Sequence, residues 1–337
     1  MQSQPSSSSA DISSEPQKDP ELWFEDGNVV IVAGTHAAFR VHAGVLSRHS
    51  EIFQNTFGVP QPPLPSPSDV IDGRPVVHVS DSAYDFKQLL HMLYDGARFM
   101  PPDRSAAFGV LAAVARLGHK YHIEWVLEES KRRLRSIFRP ASYEEWLKQE
   151  RRGSHLVKTI PSPSWIETLN LIQLLGETDM LPIAIYQCCQ VPSLLFGKGM
   201  KRADGTAEML DLPTIELCTK ARVKLIQRQS TLNAETFCTG PSGSCKRRAE
   251  CRRAIVESLY LGQVCRWPSI CLAGDPTNGD QCIPHLIEGS EEGGDICDVC
   301  AAALMKRHEN GKRKIWEELP TIIGVPVDNW DQRMDDA

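Results

Sequence analysis

Four cysteines in the last third of the chain have the residue type and spacing of a metal site. Cys238 and Cys245 form one pair, and Cys297 and Cys300 form a second pair. A Cys-x-x-Cys turn brings two thiolates to one side of the chain, and a second pair completes a tetrahedral zinc site. Four thiolates leave no open position for water or substrate. The sequence therefore predicts a structural zinc ion held by these four cysteines.

Two other interpretations of the cysteines stay open. The six residues between Cys238 and Cys245 are more than the usual spacing of a zinc pair. Four further cysteines compete as ligands, namely Cys251, Cys265, Cys271 and Cys282. Reduced buried thiols explain the same residues, and a redox or disulfide role is the third interpretation. Because the chain has eleven cysteines and no secretion signal, a disulfide framework is the least favoured of these.

The sequence carries none of the short motifs that mark common enzyme classes. It lacks the Gly-x-x-x-x-Gly-Lys-Ser/Thr phosphate loop, the Gly-x-Gly-x-x-Gly turn, the His-Glu-x-x-His zinc motif and the Gly-x-Ser-x-Gly nucleophile turn. We therefore expect no catalytic residues and no enzymatic activity.

Charge and hydropathy restrict the class of partner. The formal net charge is −6, and the basic stretches at residues 131–135, 246–253 and 306–314 are typical of solvated helix faces. There is no Cys2His2 spacing, so a nucleic-acid partner is not expected. No run approaches the roughly twenty apolar residues of a membrane span, and the polar N-terminus does not have the apolar centre of a signal peptide. We expect an intracellular protein, in the cytoplasm or the nucleus, without a membrane partner.

Hydrophobic periodicity in the first 140 residues predicts an ordered series of elements. Residues 29–32 are a β-branched run and residues 39–42 alternate apolar with polar side chains, which predicts two strands. Helical spacing follows to residue 57, and a third strand is predicted at residues 75–80. Three more helices follow before Pro140 stops the last one. The predicted order is β-β-α-α-β-α-α-α.

This order and several residues resemble the BTB/POZ domain over about Leu22 to Pro140. The resemblance implies an α+β fold in which helices flank a small β-sheet. Ala43-Gly44 departs from it, because a basic residue commonly stands there, and a proline-rich insert at residues 58–74 is expected to project as an extended loop. The positions that carry the resemblance are Asp26, Val41-His42, Leu46, Ser50, Phe53, Tyr94-Asp95-Gly96 and residues 117–125.

The resemblance implies a module for protein–protein interaction that dimerises with itself or with other BTB domains. Asp26 and His42 match positions in a polar pocket near the dimer interface of that family. The apolar run Leu22, Trp23 and Phe24 supplies candidates for the dimer surface. The alternative function is a substrate adaptor of a cullin-type ubiquitin ligase, although residues 99–103 contain no glutamate of the apolar-x-Glu element found in many cullin-binding members.

The rest of the chain is divided by composition and periodicity. Residues 1–20 are predicted to be a disordered tail, 141–232 a helical extension, 233–330 a cysteine-containing helical region and 331–337 an acidic tail. This arrangement resembles fungal BTB proteins, in which a comparable cysteine quartet precedes a tryptophan and a Leu-Pro segment. Trp316, Leu319-Pro320 and Gly324-Val325 stand at those places here, and they favour the zinc interpretation.

Overall fold

The structure is a computed structural model that describes residues 16–34, 37–59, 70–264, 296–328 and 330. The chain divides into two compact units. The first unit runs to Pro102 and continues with Gly109–Ser130. The second consists of Asp103–Phe108 and the chain from Lys131 onward.

A five-stranded sheet forms the centre of the first unit. The strands are β1 (Gln17–Trp23), β2 (Val29–Ala33), β3 (Ala37–Val41), β4 (Val70–Ile71) and β5 (Arg74–Val79), and they lie in the order β1-β3-β2-β5-β4. Strand β2 runs antiparallel to β3 and parallel to β5, so that Ile31 lies opposite both Phe39 and Val77. Because β2 has a neighbour on each side, all five of its residues are buried, as its β-branched run predicts.

Five helices accompany this sheet. The first two lie between β3 and β4 in the chain, and the other three follow β5. They are α1 (Ala43–His49), α2 (Glu51–Gly58), α3 (Ala83–Asp95), α4 (Phe108–Lys120) and α5 (Glu124–Phe138), of which α5 continues into the second unit. Ser50 ends α1 and caps α2, because its Oγ accepts a hydrogen bond from the Phe53 amide at 3.2 Å. The ring of Phe53 stacks on Tyr121 with centroids 4.3 Å apart. The predicted small sheet with flanking helices is confirmed.

Two strands lie where the sequence predicts irregular chain. Strand β1 includes residues 17–20 of the predicted disordered tail, and β4 lies within the predicted insert at 58–74. An edge strand with one buried side chain, Leu22, has no clear alternation, and Pro20 has no amide to donate to the ladder. The remaining tail and insert predictions concern residues 1–15 and 60–69, which lie outside the described residues, as does the predicted acidic tail at 331–337.

The second unit is mainly helical, as predicted. Helix α10 has 26 residues and begins where Asp211 Oδ1 accepts a hydrogen bond from the Thr214 amide at 2.8 Å. It continues past residue 232, so the predicted end of the helical extension falls inside a helix. The elements are α6 (Tyr143–Arg152), α7 (Trp165–Leu174), α8 (Leu181–Cys188), α9 (Ser193–Lys198), a hairpin of β6 (Met200–Lys201) and β7 (Ala207–Glu208), α10 (Leu212–Phe237), α11 (Arg248–Val264), α12 (Asp298–Glu317) and α13 (Leu319–Ile323).

Aromatic rings join helices α6, α8 and α12 in the core of the second unit. Trp146 and Trp316 stack with centroids 4.8 Å apart, and Tyr186 meets the edge of Trp146 at 5.7 Å. Trp330 lies 5.1 Å from Trp316 and donates its indole N–H to the Trp316 carbonyl at 2.9 Å. These contacts fix the last turn of α12. Among the described residues, none of the helices combines the length and the hydropathy needed to cross a bilayer.

Candidate metal centre

Four cysteines of the second unit lie at or next to the starts of two helices. Cys245 lies in the turn between α10 and α11, where its amide donates to the Ser242 carbonyl at 3.0 Å, and Cys251 lies in the first turns of α11. Cys297 is the N-cap residue of α12, and Cys300 follows within its first turn. Two short segments, 52 residues apart between Cys245 and Cys297, therefore meet at one place.

The four sulfur atoms form a compact group. The Sγ atoms of Cys245, Cys251, Cys297 and Cys300 all lie within 4.8 Å of one another, and those of Cys245 and Cys297 are 3.7 Å apart. Zinc–sulfur bonds of about 2.3 Å in a tetrahedron place neighbouring sulfurs about 3.8 Å apart. A disulfide requires about 2.05 Å, and every one of the described cysteines is a free thiol. The four sulfurs therefore lie close enough together that they could hold one metal ion.

Apolar side chains surround the sulfurs. Cys251 and Cys300 are buried, and Cys245 and Cys297 pack against the same cluster at its edge. Low polarity strengthens the attraction between thiolates and a cation and limits the access of water. The cluster consists of Phe237, Cys251, Ala254, Ile255, Ile296, Cys300, Ala301 and Leu304.

The thiols of this group differ in acidity. The backbone amide of Cys300, followed by the neighbouring thiols, lowers the pKa of Cys297 to about 7. Burial raises the pKa of Cys251, and it raises that of Cys300 to about 12. The Cys297 thiolate thus forms readily, whereas burial and the neighbouring thiols oppose the ionisation of Cys251 and Cys300. A divalent cation removes both obstacles, because it neutralises the thiolates it binds.

The structure brings together three of the four predicted ligands and replaces the fourth. Cys238 caps the C-terminus of α10, where it is exposed and, among the described residues, belongs to no metal-ligand group. Cys251 takes its place, and its Sγ accepts a hydrogen bond from the Cys297 amide at 3.4 Å. The sequence contains a pattern that favours Cys251 as a buried residue, because Ala254 and Ile255 follow it at helical spacing and share its buried face. Cys265, Cys271 and Cys282, the other competing ligands, lie outside the described residues.

A second group of thiols has a different character. Cys188 and Cys189 at the end of α8 and Cys218 of α10 are buried, and the Cys189 thiol donates to the Cys218 carbonyl at 3.4 Å. Hydrogen bonds from the thiols of Cys188 and Cys189 lower the pKa of Cys218. Within the ranges that the structure describes, these three sulfurs do not meet as a metal-ligand group. They are structural thiols of the core.

The predicted polar pair of the first unit is in contact but lies at the surface. His42 Nε2 lies 3.2 Å from Asp26 Oδ2, and His42 Nδ1 lies 3.0 Å from the Tyr94 hydroxyl. The hydrogen bond from His42 lowers the pKa of Asp26. The Asp26 side chain is 85% exposed in the single chain, and that of His42 is 29% exposed.

The predicted dimer surface is only partly exposed. Leu22 is 2% exposed, because the chain's own core covers it, so it cannot offer a free surface. Trp23 and Phe24 are half-buried. Phe24 stacks on Tyr94 with centroids 4.9 Å apart, and Trp23 packs on an apolar group of the sheet. That group is made of Val30, Val32, Ala38, Ile71 and Val76.

Comparison with protein families matches residues 24–136, about one third of the chain, to the BTB/POZ domain. The match agrees in position with the sheet and helices of the first unit. Comparison with the curated proteins found no match, and comparison with the solved structures found none either.

Proposed function

Because residues 24–136 are a BTB/POZ domain, a fold that generally mediates protein–protein interaction and dimerisation, we propose that this chain is a non-enzymatic interaction protein. It forms homodimers or heterodimers through the first unit and recruits another protein through the second. The match to the BTB/POZ domain is the observation that carries this proposal. The absence of common catalytic motifs from the sequence agrees with it.

The dimer surface in this proposal includes Trp23 and Phe24 with the polar pair beside them. Half-buried aromatic side chains are frequent energetic centres of protein interfaces. A symmetric dimer places the same patch on both subunits, so each of these residues contributes to the interface from both subunits. Asp26 and His42 then lie at the edge of the interface, where a partner covers the carboxylate that is exposed in the single chain.

Sedimentation velocity of the full chain tests self-association. We expect a species of twice the chain mass of 37.5 kDa at about 10 μM. Trp23→Ala should weaken dimerisation by about thirtyfold, the loss of one interface anchor. Trp125→Ala is the matched control, because Trp125 is 40% exposed in the same unit but packs on His49 and not on the apolar group beneath Trp23, and it should leave the dimer intact. A parent protein that sediments as a monomer at this concentration would contradict the proposal.

The polar pair gives a second test of the same surface. Asp26→Asn removes the ionic contact with His42 at a position exposed in the single chain. We expect the thermal unfolding of a dilute, monomeric sample to be unchanged and dimerisation to weaken. If both dimerisation and stability stay at parent values, the assignment of this pair to the interface is wrong.

We also propose that Cys245, Cys251, Cys297 and Cys300 hold one structural zinc ion per chain. The support is their mutual distance and their apolar surroundings. The ion joins the start of α11 to the start of α12. Thiolate coordination also fits the reducing interior of a cell, where we place this protein.

A cullin-type adaptor is the alternative from the sequence, and the fold gives it little support. In the segment at residues 99–103, Met100 is 3% exposed and Phe99 stacks on His91 at 5.3 Å. These two side chains already pack within the first unit and therefore do not present a free surface to a cullin. Co-purification of a cullin with the full chain, lost in Phe99→Ala but kept in Trp125→Ala, would favour the adaptor.

A further inference from the structure

The start of helix α11 carries a concentration of exposed positive charge. Residues 246–253 include five basic residues and one glutamate, so their formal charge is +4 in a chain whose net charge is −6. All five basic side chains are exposed. The opposite face of the helix is buried, because Cys251, Ala254 and Ile255 belong to the apolar cluster around the sulfurs. These buried contacts fix which face of α11 the solvent meets.

Contacts within the chain neutralise only part of this charge. Two of the five cations pair with glutamates of α11, namely Arg247 with Glu250 at 2.5 Å and Arg253 with Glu257 at 3.9 Å. The side chain of Arg248 donates only to the Ser242 carbonyl, at 3.5 Å. Within the described part of the chain, three cations therefore have no carboxylate partner: Lys246, Arg248 and Arg252.

Two of these cations share one helix face with an exposed apolar side chain. Arg248, Arg252 and Val256 follow one another at intervals of four residues, which places them on successive turns of the same face. Val256 is 55% exposed. We call these three residues the α11 stripe. It presents two guanidinium groups and then an apolar surface.

The two arginines are placed unfavourably in the isolated chain. Like charges four residues apart on a helix repel each other. The first turn of a helix also favours anions over cations, and Arg248 is the first residue of α11. An anionic ligand that contacts both guanidinium groups converts these repulsions into attraction.

We propose that the α11 stripe is the surface through which the second unit recruits another protein, and that this partner presents an acidic segment with an apolar side chain beside its carboxylates. The inference rests on the proposed recruiting function and gives the chemistry of the partner. Carboxylates of the partner accept hydrogen bonds from Arg248 and Arg252, whose planar guanidinium groups can each donate two parallel bonds. The apolar side chain of the partner covers Val256 and removes it from water.

A protein segment fits this surface better than a nucleic acid does. Val256 continues the stripe with apolar surface, for which a phosphate backbone has no counterpart. Unpaired bases bind by stacking on aromatic rings. Among the side chains that the structure describes on α11, at residues 248–257, none is aromatic.

Fluorescence anisotropy with labelled synthetic peptides tests the inference on the full chain. The probe is a fluorescein-labelled peptide in which a run of glutamates precedes two leucines. We expect a dissociation constant on the order of 100 μM, from a few exposed ion pairs and one apolar contact. A peptide with glutamine in place of glutamate should bind about tenfold more weakly, because it makes no ion pairs.

A double variant, Arg248→Gln with Arg252→Gln, separates binding from folding. It removes the like-charge repulsion, so the unliganded protein should melt at or above the parent temperature. The glutamate peptide should bind about tenfold more weakly, since two ion pairs are lost. Lys198→Gln with Lys201→Gln is the matched control, because both lysines are exposed in the same unit and the net charge changes equally. This control should keep the parent affinity.

The apolar part of the stripe has its own test. Val256→Ser should weaken binding of the glutamate peptide about fivefold, the loss of part of one apolar contact. Val223→Ser is the matched control, because Val223 is 50% exposed on α10 and lies outside the stripe. It should bind the peptide as the parent does.

Three results would overturn the inference. The first is no binding of the glutamate peptide up to about 1 mM, well above the expected constant. The second is an equal loss of affinity in the arginine and lysine variants, which would show attraction to net charge alone. The third is tighter binding of a single-stranded oligothymidine than of the peptide, which would assign the surface to nucleic acid. A failure of this kind in a protein that still sediments as a dimer concerns the stripe alone, whereas a monomer contradicts the proposed function.

Discussion

The Sγ atoms of Cys245 and Cys297 lie 3.7 Å apart although 52 residues separate them in the chain. This distance is too long for a disulfide and matches the sulfur–sulfur edge of a tetrahedral zinc site. Two thiolates held this closely repel each other in apolar surroundings, and a divalent cation converts the repulsion into attraction. The pair thus defines one edge of the proposed metal centre.

The first prediction concerns which cysteines bind the proposed zinc ion. Cys251→Ser removes a buried ligand, so purified protein should contain much less than one zinc per chain by plasma emission spectroscopy, and its melting temperature should fall. Cys238→Ser changes an exposed cysteine outside the group and should keep one zinc per chain. If Cys238→Ser loses the metal and Cys251→Ser retains it, the sequence-based set is right and the structural set is wrong.

The indole stack makes the second prediction. Trp316 is 5% exposed and contacts both Trp146 and Trp330, so Trp316→Ala should lower the free energy of unfolding by about 3–5 kcal/mol. Trp125→Ala, at a site 40% exposed, should cost about 1 kcal/mol or less. Urea unfolding followed by circular dichroism measures both. Equal losses in the two variants would show that the stack does not hold α12.

The third prediction concerns an ion pair in the first unit. The Arg116 guanidinium donates to both carboxylate oxygens of Asp85, at 2.9 and 3.2 Å, and both side chains are largely buried. Asp85→Asn removes the carboxylate charge from this largely buried pair and should cost about 3 kcal/mol of unfolding free energy.

The matched control for this pair is Asp72→Asn. Asp72 pairs with Lys18 at 2.6 Å, but both side chains are about half exposed, so the expected loss is at most about 1 kcal/mol. Asparagine also tolerates the positive φ of 50° at that position. Similar losses in Asp85→Asn and Asp72→Asn would contradict the assigned difference in burial.

The fourth prediction concerns pH. Burial and the charge of Arg48 lower the pKa of His49, and its Nδ1 accepts a hydrogen bond from the Trp125 indole at 3.2 Å. Only the neutral ring can accept this bond. The stability it contributes is therefore complete above the ordinary histidine pKa of about 6.5, and it is lost as pH falls from there toward the lowered folded-state pKa.

Unfolding free energies of the parent and His49→Gln across this range measure the effect. The glutamine oxygen accepts at any pH, so the parent should lose stability relative to the variant as pH falls below about 6.5. An unchanged difference between the two proteins from pH 7.5 to 5.5 would contradict the role of His49.

The sequence predicted the core of the first unit well because its elements have strong local patterns. The β-branched run at 29–32 and the alternation around Phe39 follow directly from burial on the sheet. Strand β1 was missed because only Leu22 of its seven residues is buried, so its pairing with β3 depends on the tertiary fold. Edge strands of this kind leave little trace in hydrophobic periodicity.

The group of four neighbouring cysteines follows from the sequence only in part, for a similar reason. Cys297 and Cys300 lie within one helical turn, so their spacing fixes their proximity. The choice between Cys238 and Cys251 depends on where α10 ends and how α11 packs, which is tertiary information. The sequence also cannot predict that Trp146 Nε1 and Gln149 Oε1 are buried without a hydrogen-bond partner among the described residues, because this depends on the tertiary fold.

Native mass spectrometry of the full chain, purified without chelator, tests the proposed zinc-containing BTB dimer. We expect an assembly of twice the chain mass of 37.5 kDa plus two zinc ions at about 10 μM. A metal-free dimer would contradict the assignment of the four cysteines. A monomer at this concentration would contradict self-association, and with it the proposed function.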